Sequence, residues 1–150
     1  MRSILESAVR EFVASEHLRN VLAGAWVDLR DERENVLPGI RGRVGAAGLT
    51  VAGEEIGADL IEMQPGAAFA LHTHPGDHVL YVLGGVGVVH IGGVDYPVRT
   101  GDSIFIPAEK PHGVRAPQAA FPLTFLAFGH PHKHLAAPDR MRLTPDAEGT

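Results

Sequence analysis

The stretch Gly66-Ala67-Ala68-Phe69-Ala70-Leu71-His72-Thr73-His74-Pro75-Gly76-Asp77-His78 decides how the chain is read. Three histidines fall within a short span. His72 and His74 are two residues apart, so on a β-strand they share a face. Pro75-Gly76-Asp77 carries turn chemistry. If the chain returns as a hairpin, His74 and His78 stand opposite each other, and cross-strand partners share a face. The three imidazoles then converge. Imidazole ligates zinc, copper, iron and nickel, so the expectation is a metal site completed from elsewhere in the chain.

Working outward, the 150 residues suffice for one domain with its own core. Eighteen glycines and 11 prolines imply frequent turns. The net charge is −5, with no basic block, which argues against nucleic acid as a partner. There is no cysteine, so disulfides, thiolate ligands and a cysteine nucleophile are excluded. No apolar run approaches the roughly 18 residues of a membrane span. Arg2, Glu6, Arg10 and Glu11 leave no signal-peptide core. A cytoplasmic protein without membrane contact is the expectation.

Residues 3–22 carry a helical period: Ile4, Leu5, Ala8, Val9, Phe12 and Val13 recur on one face, and Ser3 with Glu6 fits a capping box. His17 reads as an ordinary surface residue. The mixed-charge run Arg30 to Asn35 reads as a solvated loop. Short strand signals follow: Ala25–Leu29, Ile40–Val44, Leu49–Val51, Ala58–Met63, His78–Leu83, Val86–Ile91, Val94–Val98, Ser103–Ile106, Val114–Arg115 and Leu123–Phe128. Pro38-Gly39, Gly84-Gly85 and Gly92-Gly93 read as turns. Arg41 and Arg43 share a face and read as solvated. His78–Leu83 is apolar throughout, so burial on both faces is expected. His90 reads as structural. The segment from His130 onward, with His130, His132 and His134 in alternation, reads as a polar, irregular exit; a second metal patch or a lid is the alternative. Short strands at this spacing indicate an all-β sandwich or barrel.

At this point the residues resemble a family. Gly66, His72, His74, His78 and Gly85 stand at the spacing of the first motif of the cupin superfamily, with His78 where an acidic ligand is usual. Gly101, Pro107 and His112 resemble the second motif, with Glu109 replacing its Gly and Ala116 its Asn. The short linker between them resembles that of small single-domain bacterial cupins. The resemblance implies a jelly-roll β-barrel of six to eight strands; with the helical period at the N-terminus, the expectation is an all-β jelly-roll β-barrel with an N-terminal α-helix, divided as residues 1–24 helical, 25–130 barrel and 131–150 tail. It implies one divalent transition metal (Fe, Zn, Ni, Mn or Cu) on His72, His74, His78 and His112, and a homodimer. His78 is either the fourth ligand or a core histidine beside three.

Glu62, Asp77 and Glu109 are candidate acceptors for the outer imidazole nitrogens. Glu109 and Tyr81 are candidate acid–base residues, Glu109 pointing either into the pocket or to solvent. Phe69, Leu80, Val82, Phe105 and Phe125 are candidate pocket walls. Four neutral imidazoles would leave the charge of a divalent ion uncompensated and favour anionic ligands. The family resembles dioxygenases that cleave diketones or hydroxylated aromatic acids, which sets the leading functional expectation: a metal enzyme acting on a small molecule. A non-redox isomerase, lyase or decarboxylase is the second, requiring Glu109, Tyr81 or His90 in the pocket. A non-catalytic sensing module, docked through the stripe Ile4, Val9 and Phe12, is the third.

Overall fold

The computed structural model describes residues 9–145. Eleven strands form two antiparallel sheets among these residues: β1 (Val27–Arg30), β2 (Val36–Leu49), β3 (Glu55–Met63), β4 (Ala68–Thr73), β5 (Asp77–Gly84), β6 (Val86–Ile91), β7 (Val94–Arg99), β8 (Ser103–Ile106), β9 (His112–Arg115), β10 (Leu123–His130) and β11 (Arg142–Leu143). The first sheet runs β1-β2-β3-β10-β5-β8 and the second β11-β4-β9-β6-β7. The sheets face each other as a jelly roll, and the inward residues of both make the core, led by Ile61, Met63, Phe69, Leu80, Val89, Ile106, Val114, Leu123 and Phe125.

The sheet assignment corrects the hairpin expected around Pro75-Gly76-Asp77. Strand β4 pairs with β9 and β11, whereas β5 pairs with β10 and β8. The turn is a corner that carries the chain from one sheet to the other. His74 and His78 therefore meet across the barrel interior rather than across a ladder. By contrast, β6 and β7 form the expected hairpin, closing at Ile91 and Val94. Its turn residues Gly92 and Gly93 have φ of 60° and 77°, a mirror-image turn that glycine adopts without strain.

Strand β5 is buried on one face only. Leu80 and Val82 point inward, while Val79, Tyr81 and Leu83 are exposed. No layer among the described residues covers these apolar outer side chains. Leu49 ends β2, and Thr50–Gly53 is a turn rather than a strand. Pro38-Gly39 lies inside β2 and makes no reversal.

The N-terminal helix is minor. Of residues 3–22, those from 9 onward are described, and only Ala14–His17 (α1) is helical. Ser3, Ile4, Leu5, Glu6 and Ala8 lie outside the described residues. Val9, Phe12, Leu18 and Leu22 are exposed. A short helix without a surface to bury its stripe is marginal, and propensity alone does not hold one together. Arg41 and Arg43 do share a face, with both guanidinium groups stacked on Trp26 at 3.8 Å from the ring centre.

The segment after β10 is not an irregular exit. Leu135, Arg140 and Met141 are buried, and β11 adds to the edge of the second sheet with Leu143 beside His72. Among the described residues no helix is long and apolar enough to cross a membrane.

Candidate metal centre

Strand β4 aims its histidines by means of a bulge. Phe69 stands opposite Val114 and His72 opposite His112, so β4 advances three residues while β9 advances two. The extra residue re-phases the strand and turns both Phe69 and His72 inward. His74 follows two residues later on the same face. His112 arrives on β9 after the loop Pro107–Pro111. That loop is tied down by Ala108 N–H donating to Asp77 Oδ1 (2.7 Å) and Glu109 N–H donating to the His74 carbonyl (2.9 Å).

His72, His74 and His112 offer ligand nitrogens that all lie within 4.8 Å of one another, and all three side chains are buried. Each ring is oriented from behind by a backbone carbonyl. Nδ1 of His72 donates to Ala70 O (2.6 Å), that of His74 to Arg140 O (2.6 Å) and that of His112 to Lys110 O (2.9 Å). This fixes the tautomer and leaves each Nε2 with a lone pair. The acceptors expected from the sequence are engaged elsewhere or exposed: Glu62 binds Arg41, Asp77 holds the Ala108 amide, and Glu109 is exposed.

The donor set fits a divalent metal. His72 Nε2 and His74 Nε2 are 3.0 Å apart, and neither carries a hydrogen once Nδ1 is the donor. Two lone pairs held this close could both be given to one divalent ion. Burial holds all three imidazoles below the ordinary histidine range, and the neighbouring rings and Arg140 push His72 and His74 further in the same direction. Neutral imidazole is the metal-binding form. When bound, such an ion would supply Lewis-acid polarisation of a coordinated oxygen.

His78 is buried beside this group but oriented differently. Its ring stacks on His74 with centroids 4.2 Å apart and planes 15° apart. His72, His74 and His112 bring their nitrogens together, and His78 lies beside them on the cavity wall. Desolvation, then the Arg140 charge, pushes His78 down to about 3.

Phe69, Leu80 and Phe125 line the cavity with Ile61, Val114 and Ala127. Val82 is buried in the core outside this lining. Phe105 and Tyr81 correct the expectation: both project from the outer faces of their strands and are exposed, because alternate strand residues leave the barrel. Glu109 is likewise exposed, with φ of 62°. That left-handed backbone explains why glycine suits this position. His90 is half-buried and bonds Asp95 at the surface, away from the cavity. Three groups not singled out for this centre lie beside it: Asp59, His132 and Arg140. His132 Nε2 contacts Asp59 Oδ2 at 2.7 Å and its Nδ1 lies 3.4 Å from Glu55, with Asp59 and His132 both buried. These three residues, with His78, line a second small cavity adjoining the first.

Comparison with known proteins agrees with this architecture. Residues 59–129 match the family model described as a cupin domain. Those residues form a cupin domain. An oxalate-binding protein of Thermotoga maritima is 34% identical over 55 residues, which are 36% of this chain and 46% of the relative, so the chain spans under half of that relative's length. Among solved structures, a cupin-2 domain protein of Rhodospirillum rubrum superposes with TM-score 0.66 at 21% identity, over 94% of this chain and 87% of that one. A Thermotoga maritima protein described as a predicted oxalate decarboxylase superposes with TM-score 0.58 at 21% identity, over 73% and 95%. At these identities the structural likenesses speak to the fold.

Proposed function

We propose that this cupin is a mononuclear metal-dependent enzyme whose ion is held by His72, His74 and His112 and whose substrate is a small ligand bound at the positions left open. The observation that carries the reading is the approach of the His72 and His74 Nε2 lone pairs to 3.0 Å, with each Nδ1 committed to a carbonyl. Such a contact calls for an electrophile between the two nitrogens.

Size and charge narrow the chemistry. The cavity admits about 20 Å³ of water-sized groups, and a single water needs about 10–15 Å³ on this scale. Little beyond the ion and a few atoms fits. No observation favours the dioxygenase reading over Lewis-acid chemistry. Three uncharged imidazoles leave the charge of a divalent ion uncompensated, which favours an anionic ligand. The similarity to a protein named for oxalate binding points toward the same size and charge. Phe69, Leu80, Val114 and Phe125 exclude bulk water and strengthen electrostatic interaction inside.

Metal analysis of untagged protein, together with oxygen-uptake screening, tests the proposal. One divalent ion per chain is expected, with no uptake on diketones or hydroxylated aromatic acids. Metal-free wild-type protein after growth and dialysis in Fe, Zn, Mn, Ni and Cu would sink the metal reading. Rapid uptake on those substrates would restore the oxygenase reading.

A further inference from the structure

The outer face of the first sheet is apolar and bare. Val79, Tyr81 and Leu83 of β5, Phe105 of β8, Phe128 of β10 and Ile56 of β3 are all exposed among the described residues. None is charged, and the ladder registers line up Ala58, Phe128, Val79 and Phe105 in one row across four neighbouring strands. The two ends of the row differ. At one end Phe105 projects from the edge strand β8, 59% exposed. At the other end the small residues Ala46, Ala47, Gly48 and Ala58 leave a groove of about 400 Å³, with His17 of α1 and Phe128 as its sides. Strand β10 lies midway, two strands from β8 and two from β2. A whole aromatic side chain carries about 200 Å² and an aliphatic one somewhat less, so these six residues present on the order of 500 Å² of apolar surface. A dimer of standard size takes about 800 Å² from each partner, and in homodimers about 65% of it is apolar, again about 500 Å².

We propose that this face is the interface of a two-fold symmetric dimer of the chain. An axis along the strands at β10 lays β8 of each copy over β2 of the other, each about two strand spacings, or roughly 10 Å, from the axis. Phe105 of each copy then fills the groove of the other, and Phe128 meets its symmetry mate on the axis. A two-fold interface uses the same patch twice, so it needs a face that complements itself. A projection at one end of a row and a groove at the other make such a face. A partner of another kind needs no match between the two ends, and an uncharged face offers nothing to select a charged one. The assignment is independent of the metal centre, because the face lies on the outside of the barrel.

Sedimentation equilibrium on untagged full-length protein at micromolar concentration tests this. A dimer mass is expected, and a monomer overturns the proposal. Phe128→Glu sets two carboxylates against each other on the axis, and Phe105→Glu puts one into the apolar groove. Each is expected to weaken association about tenfold or more, as loss of a central aromatic anchor does. Val94→Glu, on the second sheet, should leave association unchanged. Association as tight as wild type in either face variant places the contact elsewhere and overturns the proposal. A monomeric wild type that dimerises once residues 1–8 are removed would show that the chain's own N-terminal segment occupies the face, and overturns it too. Should the glutamate variants fail to fold, Phe128→Cys is oxidised in this otherwise cysteine-free chain. A covalent dimer is expected from Phe128→Cys and not from Val94→Cys; equal cross-linking in the two, or none in Phe128→Cys, overturns the assignment.

Discussion

The carbonyl of Arg140 accepts the Nδ1 hydrogen of His74 at 2.6 Å, across 66 residues of sequence. One residue of the C-terminal segment thus sets the tautomer of an imidazole on β4 while its side chain faces the cavity. Partners that orient a ligating imidazole are worth about 10–100-fold in metal affinity. A chain ending at residue 138 is therefore expected to bind metal about 10–100-fold more weakly. Competition with a chromophoric chelator measures this, and unchanged affinity would show that the carbonyl is dispensable.

The histidines are expected to separate into two classes. His74→Ala and His112→Ala should lose bound metal, whereas His134→Ala, at an exposed position, should retain it. His78→Ala should stay within a few-fold of wild type, because its ring stacks on His74 instead of sharing the centre. Metal content after gel filtration reads all four; loss in His78→Ala equal to that in His74→Ala would make His78 a fourth ligand.

His132 and Asp59 form a buried pair at 2.7 Å. Removing one partner leaves the other buried without compensation, so His132→Ala is expected to destabilise the protein by about 2–4 kcal/mol in chemical denaturation. The hydrogen bond to Asp59 raises the His132 pKa above its ordinary value. A raised folded-state value adds stability below the unfolded value, near 6.5, and loses it as pH rises through the folded value. The gap between variant and wild type should therefore narrow on the alkaline side. A constant gap from pH 5 to 9 would show that packing, not charge, holds the pair.

The cavity imidazoles act in the opposite direction. His72, His74, His78 and His112 are all held below the ordinary value. Each is neutral when folded and takes up a proton on unfolding below about pH 6.5, so metal-free protein loses stability as pH falls from there toward the folded values, to about 3 for His78. Each imidazole contributes a slope of about 1.4 kcal/mol per pH unit in that window. Urea midpoints between pH 7 and 4 test this; a flat profile contradicts it.

Glu109 sits at φ of 62° with an exposed side chain. Relief of left-handed strain should make Glu109→Gly more stable by about 1 kcal/mol, or about 2–4 °C in Tm, with metal content unchanged. Lost turnover in this variant would return Glu109 to the list of acid–base residues.

Much of the barrel was legible before any coordinate. Alternation and turn chemistry mark most of the strands, because side-chain period and glycine φ preference are local properties. His72, His74 and His112 are legible for the same reason, two by spacing on one strand and one by the loop that precedes it. Of the helix read over residues 3–22, the described part from residue 9 is helical only at Ala14–His17, since a periodic stripe states what a helix would bury and not whether a surface exists to receive it. Residues 130–145 were underread: Leu135, Arg140 and Met141 follow no period and find their burial against β-strands distant in sequence.

The chain alone therefore determined that imidazoles would gather in an all-β fold. Tertiary structure decided how. A corner sends β4 and β5 into facing sheets, a bulge turns His72 inward, and the returning C-terminal segment brings Arg140 and His132 beside the cavity. Sheet membership, bulge phase and long-range partners depend on which distant strands pair and which faces they bury, and a local pattern of residues carries no record of that choice.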